Sequence, residues 1–479
     1  MSTSTPAGAP AAPPSRPADS AEVEELRGRV RRKTLLRLMP FLLLCYFVNY
    51  LDRSNIGIAG PNGMNDALGL TATMFGFASG IFFVGYILLE VPSNLALHKF
   101  GARKWIARIL ISWGIVATAT AFVSNAPMLY VLRFLLGIAE AGFTPGILLY
   151  LTYWFTQRNR AQAFAFFLVG IPLSSTIGAP LAAWLISVGD GLLLGLEGWR
   201  FMILITGLPA VLLGLLCLFV LCDRPQDAKW LTPEEKALLA ADLAAEGPSE
   251  SHHGVRGVLR NSRVWVLGLC YFGLVYGLYA IAFFLPTIIA GFQERFGVEY
   301  SVTQVGLLTA IPYGFAVVFT LFWASHSRRT DEVPLHVAVS GVMGAVGIVV
   351  AILAGSPVVT LVGVAIAAMG LCSGIPISFG MSTKFLAGAA AAAGLALINT
   401  VGNLGGFLGP FIYGWVKDLT GSDDVGLYLI AGLCLMSSVI AWTVSRWSNL
   451  GTPAASGTPG AGGPATPVEP APAKPTVSA

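Results

Sequence analysis

The chain has 479 residues, of which 55% are hydrophobic and only 11% are charged, and its formal net charge is +4. Soluble proteins carry about 25% charged residues, so a water-facing surface of this composition would be too apolar to stay in solution. These figures exclude a soluble enzyme, a nucleic-acid-binding protein and a secreted disulfide scaffold, and they indicate a polytopic protein of the lipid bilayer. The six cysteines form no CxxC pair, so we expect no metal site, no disulfide framework and no cofactor.

Runs of about 20 apolar residues, long enough to cross a hydrocarbon core of roughly 30 Å, occur twelve times along the chain. They lie at residues 39–58, 74–97, 105–123, 127–155, 162–187, 201–221, 264–290, 304–324, 335–354, 357–383, 389–415 and 426–446. The predicted fold class is therefore an all-α polytopic membrane protein with twelve transmembrane helices.

Composition divides the chain into five parts. These are a disordered tail at 1–34, a six-helix bundle at 35–222, a linker at 223–263, a second six-helix bundle at 264–447 and a disordered tail at 448–479. The tails are assigned from their content of Pro, Ala, Gly and Thr, which cannot form an apolar core. In the linker, Thr232 as a cap, Pro233 after it and Glu235 three residues after the cap predict a short surface helix.

Basic residues are distributed very unevenly between the two sides of the predicted membrane. The segments on the side of the two termini hold 24 of the 29 Lys and Arg residues, and those on the opposite side hold three. Since Lys and Arg accumulate in cytoplasmic loops, we predict that both termini are cytoplasmic, in the inner membrane of a bacterium.

The two halves of the chain resemble each other. The sequence "HKFGARK" at 98–104 follows the second span, "HSRRTDE" at 326–332 follows the eighth, and Pro180 has a counterpart 230 positions later in Pro410. Two pseudo-symmetric six-helix bundles are typical of transporters that open a central site alternately to either side of the membrane.

No phosphate-binding loop of the GxxxxGK[ST] type and no nucleophile–base pair occurs, which argues against an ATP-driven pump and a membrane enzyme. A sensor that transports nothing would need a larger cytoplasmic domain.

Five ionisable residues lie well inside predicted spans, and all five belong to the first half: Asp52, Arg53, Glu90, Arg133 and Glu140. Charges at that depth are costly and usually functional. Arginine binds a carboxylate through two parallel hydrogen bonds, so Arg53 and Arg133 predict a site for an organic anion. A carboxylate buried among apolar groups takes up a proton more readily than one in water, so Asp52 and Glu140 are the candidate proton carriers.

Alternatives stay open for several of these residues. Arg133 could instead pair with a carboxylate and lock the helices together, and Asp52 could belong to a structural ion-pair cluster. Glu90 lies near the end of its span, so we expect a gate or loop contact rather than substrate binding. Tyr86, one turn deeper, is a candidate hydroxyl donor or a packing residue.

Four segments together are distinctive: "YLDRSNI", "RFLLGIAEAGFTPG", "GLLTAIPY" and "NTVGNLGGFLGP". In these segments the chain resembles the anion:cation symporter branch of the major facilitator superfamily, and the resemblance covers residues 35–447. It implies that Asp52, Arg53, Arg133 and Glu140 form the proton and substrate machinery. Members of this branch carry tartrate, phthalate, hydroxyphenylacetate or sugar acids.

The second half supplies only neutral polar groups inside its spans. By the resemblance, Tyr86 and Asn403 or Asn399 would contact substrate, and Ser373 is a further candidate. The loop after span two lacks the Asp usual in the superfamily, and the loop after span eight has Arg328 at a position often occupied by Asp, so the inner gate can differ. We predict proton-coupled uptake of a small carboxylate, such as tartrate or an aromatic acid, by a monomer. The alternatives are a sugar-acid symporter, or an anion uniporter or exchanger without proton coupling.

Overall fold

A computed structural model gives the structure of residues 17–193, 195–246, 260–385 and 390–450. Within these ranges, twelve helical segments are long and apolar enough to cross a membrane. This confirms the predicted fold class, an all-α polytopic protein of twelve spans. The predictions for residues 1–16 and 451–479 in the tails and for 247–259 in the linker lie outside the described residues.

The first half contains spans 1 to 6. Their helices are Pro17–Ala59, Gly60–Met64 and Asn65–Leu68 for span 1, Ala72–Phe100 for span 2, Ala102–Ala119 and Thr120–Phe122 for span 3, Ala126–Glu140 and Phe143–Thr152 for span 4, Gln157–Leu168 and Gly170–Gly189 for span 5, and Gly198–Val220 for span 6. Four of these spans, 1, 3, 4 and 5, thus consist of more than one helical segment, which the apolar pattern did not predict.

The linker and the second half follow. The linker contains Pro225–Asp227 and Pro233–Ala244, and spans 7 to 12 are Ser262–Ala290, Val302–Thr330, Val333–Leu353, Pro357–Phe385, Ala390–Thr420 and Asp424–Leu450, with a short helix Phe292–Phe296 after span 7. We call the side of the bundle that carries the linker the linker end, and the opposite side the far end. Odd-numbered spans run from the linker end to the far end.

Residues 17–34 differ from the prediction, because they are helical and continuous with span 1 rather than part of a disordered tail. Ion pairs with the linker helix hold this helical extension, and the composition of the tail does not reveal them. Arg27 contacts Asp242 of the linker helix through two hydrogen bonds of 2.9 and 2.7 Å, and Lys33 donates to Glu235 at 2.7 Å. The N-terminal extension of span 1 and the linker helix therefore hold each other against the first half.

The linker helix itself confirms the prediction made from its cap. The Thr232 hydroxyl accepts from the Glu235 backbone N–H at 3.3 Å, and the Glu235 carboxylate accepts from the Thr232 N–H at 2.9 Å. This reciprocal arrangement satisfies two donors that the first turn of a helix leaves unpaired.

Spans 2 and 8 show the relationship between the two halves most directly. Both their first and last residues are displaced by 230 positions, from Ala72–Phe100 to Val302–Thr330. Each helix is capped by a hydroxyl, Thr71 for span 2 and Ser301 for span 8. The same displacement relates Pro180 to Pro410, as the sequence comparison predicted.

The halves meet closely near the far end, where glycines face backbone of the opposite half. A Cβ added to Gly76 of span 2 would collide with the Pro410 carbonyl of span 11, and one added to Gly306 of span 8 would lie 2.8 Å from the Ala179 carbonyl of span 5. Small residues allow helices to approach in a membrane. Gly76 and Gly306 are 230 positions apart, and a Cβ on Gly306 would also lie 3.3 Å from Pro180, the counterpart of Pro410. One pseudo-symmetric closure therefore joins both pairs of spans.

Candidate functional site

Arg53, near the middle of the molecule, is the residue around which the candidate site forms. It lies on span 1, and its residue is 8% exposed. One terminal nitrogen donates to the Glu140 carboxylate of span 4, forming an ion pair, and the other donates to the Tyr279 hydroxyl of span 7 at 2.9 Å. The guanidinium therefore contacts both halves of the protein at once.

Aromatic rings of span 2 surround the same guanidinium. The carbon at its centre lies 4.9 Å from the ring centre of Phe82, 5.8 Å from Phe83 and 5.5 Å from Tyr86. Aromatic faces attract a cation, and the attraction strengthens when water is excluded. The rings thus stabilise the charge of Arg53 without neutralising it. Its two terminal nitrogens, which we call the arms of the guanidinium, remain able to exchange hydrogen-bond partners.

Glu140 owes its position to a break in span 4. The first helix of this span is capped by Asn125, whose side-chain oxygen Oδ1 accepts from the Met128 N–H at 2.9 Å, and it ends at Glu140. Gly142 then takes φ +83°, a conformation that disfavours other residues, before the second helix starts. Glu140 is fully buried, and its second carboxylate oxygen accepts no hydrogen bond from any described residue.

Arg133 belongs to the same helix but makes different contacts. Its side chain donates to the backbone carbonyls of Ala78 at 3.3 Å and of Arg53 at 3.4 Å, and its guanidinium lies 5.5 Å from the centre of the Phe82 ring. The residue is 2% exposed. It therefore lies behind Arg53, where it joins spans 1, 2 and 4, and within the described residues no carboxylate approaches it to 4.0 Å.

Asp52 points away from Arg53, as adjacent positions about 100° apart on a helix require. Its carboxylate accepts a hydrogen bond from the Trp113 indole of span 3 at 2.8 Å, inside the first half. One turn further along span 1, Asn55 donates to the Thr206 hydroxyl of span 6 at 3.0 Å. The structure thus brings Arg53 and Glu140 together and leaves Asp52 in a separate polar contact.

The other predicted site residues are distributed over three places. Tyr86 lies beside Arg53, in agreement with its predicted place. Asn399 donates to the Glu90 carboxylate at 2.5 Å, a contact between the halves on the linker side of Arg53. Asn403, one turn further along span 11, is half-buried. Ser373 lies elsewhere, since its hydroxyl contacts Met369 of its own span and Ser340 of span 9.

The sequence analysis missed Tyr279, Phe82 and Trp113. These residues occur within uninterrupted apolar and aromatic runs, where nothing in the spacing separates a site residue from one that faces lipid. Of the three, Phe82 could most easily have been found from the sequence, because it lies one helical turn from Tyr86 on the same face.

Comparisons with known proteins identify the family of the chain. The family described as Major Facilitator Superfamily matches residues 42–410. A protein of Agrobacterium vitis named "Putative tartrate transporter" is 46% identical over 432 residues, which cover 90% of this chain and 94% of the relative. Inner membrane transport protein RhmT of Escherichia coli (strain K12) is 36% identical, covering 87% of this chain and 95% of the relative.

A solved structure shares the fold. The inward open conformation of the xylose transporter XylE from E. coli superposes with a TM-score of 0.68 at 15% sequence identity, covering 85% of this chain and 95% of that one. The family match and the relatives together cover most of the chain and all of the residues around Arg53. The chain belongs to the Major Facilitator Superfamily, and it is a multi-pass membrane transporter rather than an enzyme.

Proposed function

We propose that this protein imports a small organic carboxylate together with protons, and that Arg53 and Glu140 couple the two. The observation that carries the proposal is the ion pair between them, at mid-depth and next to the opposite half. A carboxylate substrate needs Arg53, and Arg53 is already bound to a carboxylate of the protein. The substrate can bind fully only when Glu140 gives up its charge.

Protonation of Glu140 supplies that step. The neutral acid holds Arg53 less strongly, so one arm of the guanidinium becomes free for the substrate. Charge is balanced in both states, because the empty carrier contains Arg53 and ionised Glu140, whereas the loaded carrier contains Arg53, a substrate carboxylate and neutral Glu140. For one substrate carboxylate, neither state carries an extra uncompensated charge through the membrane, which would be costly. The second carboxylate of tartrate or phthalate requires a second proton, which Asp52 is proposed to carry.

One oxygen of Glu140 is open to the added proton. Its free oxygen accepts no hydrogen bond from a described residue, so a proton can be added there without breaking a contact. Asp52 is proposed as a second proton site, in contact with Trp113 and apart from the substrate.

The remaining predicted residues are assigned as follows. Tyr86 and Asn403 are proposed to contact the substrate, and Asn399 to do so when its contact with Glu90 opens. Arg133 is proposed to attract the anion from behind Arg53. Ser373 is left out of the proposed site because its hydroxyl is occupied between spans 9 and 10.

Tartrate is the first substrate to test, because the Agrobacterium vitis relative is named for it. The aromatic rings around Arg53 also suit the ring of an aromatic acid.

We propose the bacterial inner membrane as the location, with both termini cytoplasmic, because most Lys and Arg lie on the linker side. The monomer contains the whole proposed site.

The test is uptake into vesicles that contain the purified protein. An inward pH gradient should drive accumulation of labelled L-tartrate or phthalate above the external concentration, and a protonophore should abolish the accumulation. Equilibration without accumulation would instead indicate a uniporter, and transport only against an internal anion would indicate an exchanger. Accumulation of a sugar acid such as galactonate, but not of tartrate or phthalate, would identify the sugar-acid alternative.

A further inference from the structure

The contact between Arg53 and Tyr279 joins the two halves at the level of the candidate site. The phenol oxygen accepts from the guanidinium at 2.9 Å. The Tyr279 ring lies edge-on to Phe83 of the first half, with 4.5 Å between the ring centres, and 6.5 Å from the ring centre of Tyr50. Tyr279 is 8% exposed. The residue is thus held by the first half although it belongs to the second.

We propose that Tyr279 takes the place of the substrate's carboxylate on Arg53 when the carrier is empty. This inference rests on the proposed function of Arg53 as the anion site. The guanidinium has two terminal arms, and in this structure Glu140 holds one and Tyr279 the other. A carboxylate that binds Arg53 through both arms must displace both partners. Protonation releases Glu140, whereas the neutral phenol leaves only by competition.

The transport cycle explains why the empty carrier needs such a partner. After it releases its substrate, a symporter must return empty, and on the way its halves must close around the vacant site. In this structure the halves are joined on the far side by Gly76 with Pro410, and on the linker side by Glu90 with Asn399. A buried donor without a partner would raise the free energy of that closed state. The phenol supplies the partner.

Removal of the Tyr279 hydroxyl should change substrate affinity in the opposite direction from removal of a group that binds the substrate. If Tyr279 bound the substrate, removal of its hydroxyl would weaken binding and slow every transport mode. If it occupies the site only in the empty carrier, removal abolishes a competitor, so substrate affinity stays equal or increases. Net uptake then slows because the empty return is impaired, while exchange of internal for external substrate avoids that step.

The test compares Tyr279→Phe with Tyr276→Phe, a matched control on the same span. The Tyr276 hydroxyl is buried and has no hydrogen-bond partner among the described residues, so its loss removes no contact. Three quantities are measured for each variant and the wild type: the melting temperature without substrate, the affinity for L-tartrate by thermal shift, and the rates of net uptake and exchange.

We expect Tyr279→Phe to melt lower than Tyr276→Phe without substrate, to bind L-tartrate at least as tightly as the wild type, and to lose net uptake about tenfold, the effect of one hydrogen bond to a charged group. Exchange should change less than twofold. Weaker tartrate binding, or behaviour identical to Tyr276→Phe, would overturn the proposal. If the wild type neither binds nor transports tartrate, the proposed substrate is wrong, and the two melting temperatures without substrate still decide whether Tyr279 stabilises the empty carrier.

Discussion

Glu140 pairs with Arg53, 87 positions away on another span, and not with Arg133, which precedes it by seven positions on its own helix. The two arginines therefore differ in kind. Arg53 has a titratable partner and faces the second half, whereas Arg133 is held by backbone carbonyls that cannot change charge. Substitutions should separate these roles.

Glu140→Gln should uncouple transport from protons. The amide mimics the protonated acid, so Arg53 stays available to the substrate, but no proton is bound or released. We expect loss of uphill uptake driven by a pH gradient, with substrate binding and exchange at equal pH retained. Normal uphill uptake would contradict the role of Glu140, and a protein inactive and thermolabile in every assay would indicate a purely structural ion pair.

Asp52→Asn provides the comparison within the same experiment. Asp52 contacts Trp113 and not Arg53, so its amide variant should keep exchange as well. If the two carboxylates share the proton, it should also lose part of the uphill uptake. Unchanged accumulation would restrict coupling to Glu140.

Arg53→Ala should weaken substrate binding by at least about 100-fold, because two charge-assisted hydrogen bonds are lost together. Arg53→Lys should restore little, since an ammonium group cannot present two parallel donors to a carboxylate. Binding is measured by thermal shift in detergent, with circular dichroism as the control for folding. Wild-type affinity in Arg53→Ala would show that the anion binds elsewhere, and wild-type affinity in Arg53→Lys would contradict binding through two parallel donors.

Arg133→Gln should act mainly on stability. It removes a buried cation that joins three spans, and the net charge of the surrounding buried groups becomes negative. We expect a loss of about 1.5–3 kcal/mol in the free energy of unfolding for each of the two hydrogen bonds that this cation donates, measured as a fall in melting temperature. A fully stable Arg133→Gln that has lost substrate affinity would instead place Arg133 in direct contact with the anion.

Gly76→Ala should hinder closure of the far end. Its added methyl group meets the Pro410 carbonyl of the opposite half, so the bundles fold normally but cannot meet there. Gly432→Ala is the control, because a Cβ at Gly432 meets nothing within 4 Å. Net uptake and exchange should both fall severalfold in Gly76→Ala only, and a cysteine introduced near the far end should become more accessible. Equal uptake by the two variants would show that the contact opens at no cost.

The linker helix should detach from the first half in acid. Burial acts to raise the pKa of the Glu235 carboxyl, but hydrogen bonds from Lys33 and from the Thr232 backbone outweigh it and lower the pKa below its ordinary value. The stabilisation is therefore complete above the unfolded pKa of about 4.3 and is lost as the pH falls through the lower, folded value.

Hydrogen exchange of residues 233–244 as a function of pH measures this detachment. Glu235→Gln should raise the exchange rate already at pH 7, whereas Glu234→Gln, at an exposed neighbouring position, should not. An exchange rate independent of pH between 3 and 7 in the wild type would contradict the role of Glu235.

Hydropathy alone determined the number of spans, because a helix of about 20 apolar residues has no other stable environment than the bilayer. Local cap chemistry likewise predicted the linker helix, since Thr232 and Glu235 act within one turn. The same reasoning failed for residues 17–34, whose helix depends on Asp242 and Glu235, more than 200 positions away.

For the site, the sequence identified the charged residues, because ionisable groups are conspicuous in apolar spans. Only the tertiary structure decided how they pair. The pairing of Arg53 with Glu140, of Asp52 with Trp113 and of Arg53 with Tyr279 depends on how spans from different parts of the chain are rotated and packed. Helical periodicity states which residues of one helix share a face, but not which other helix that face meets.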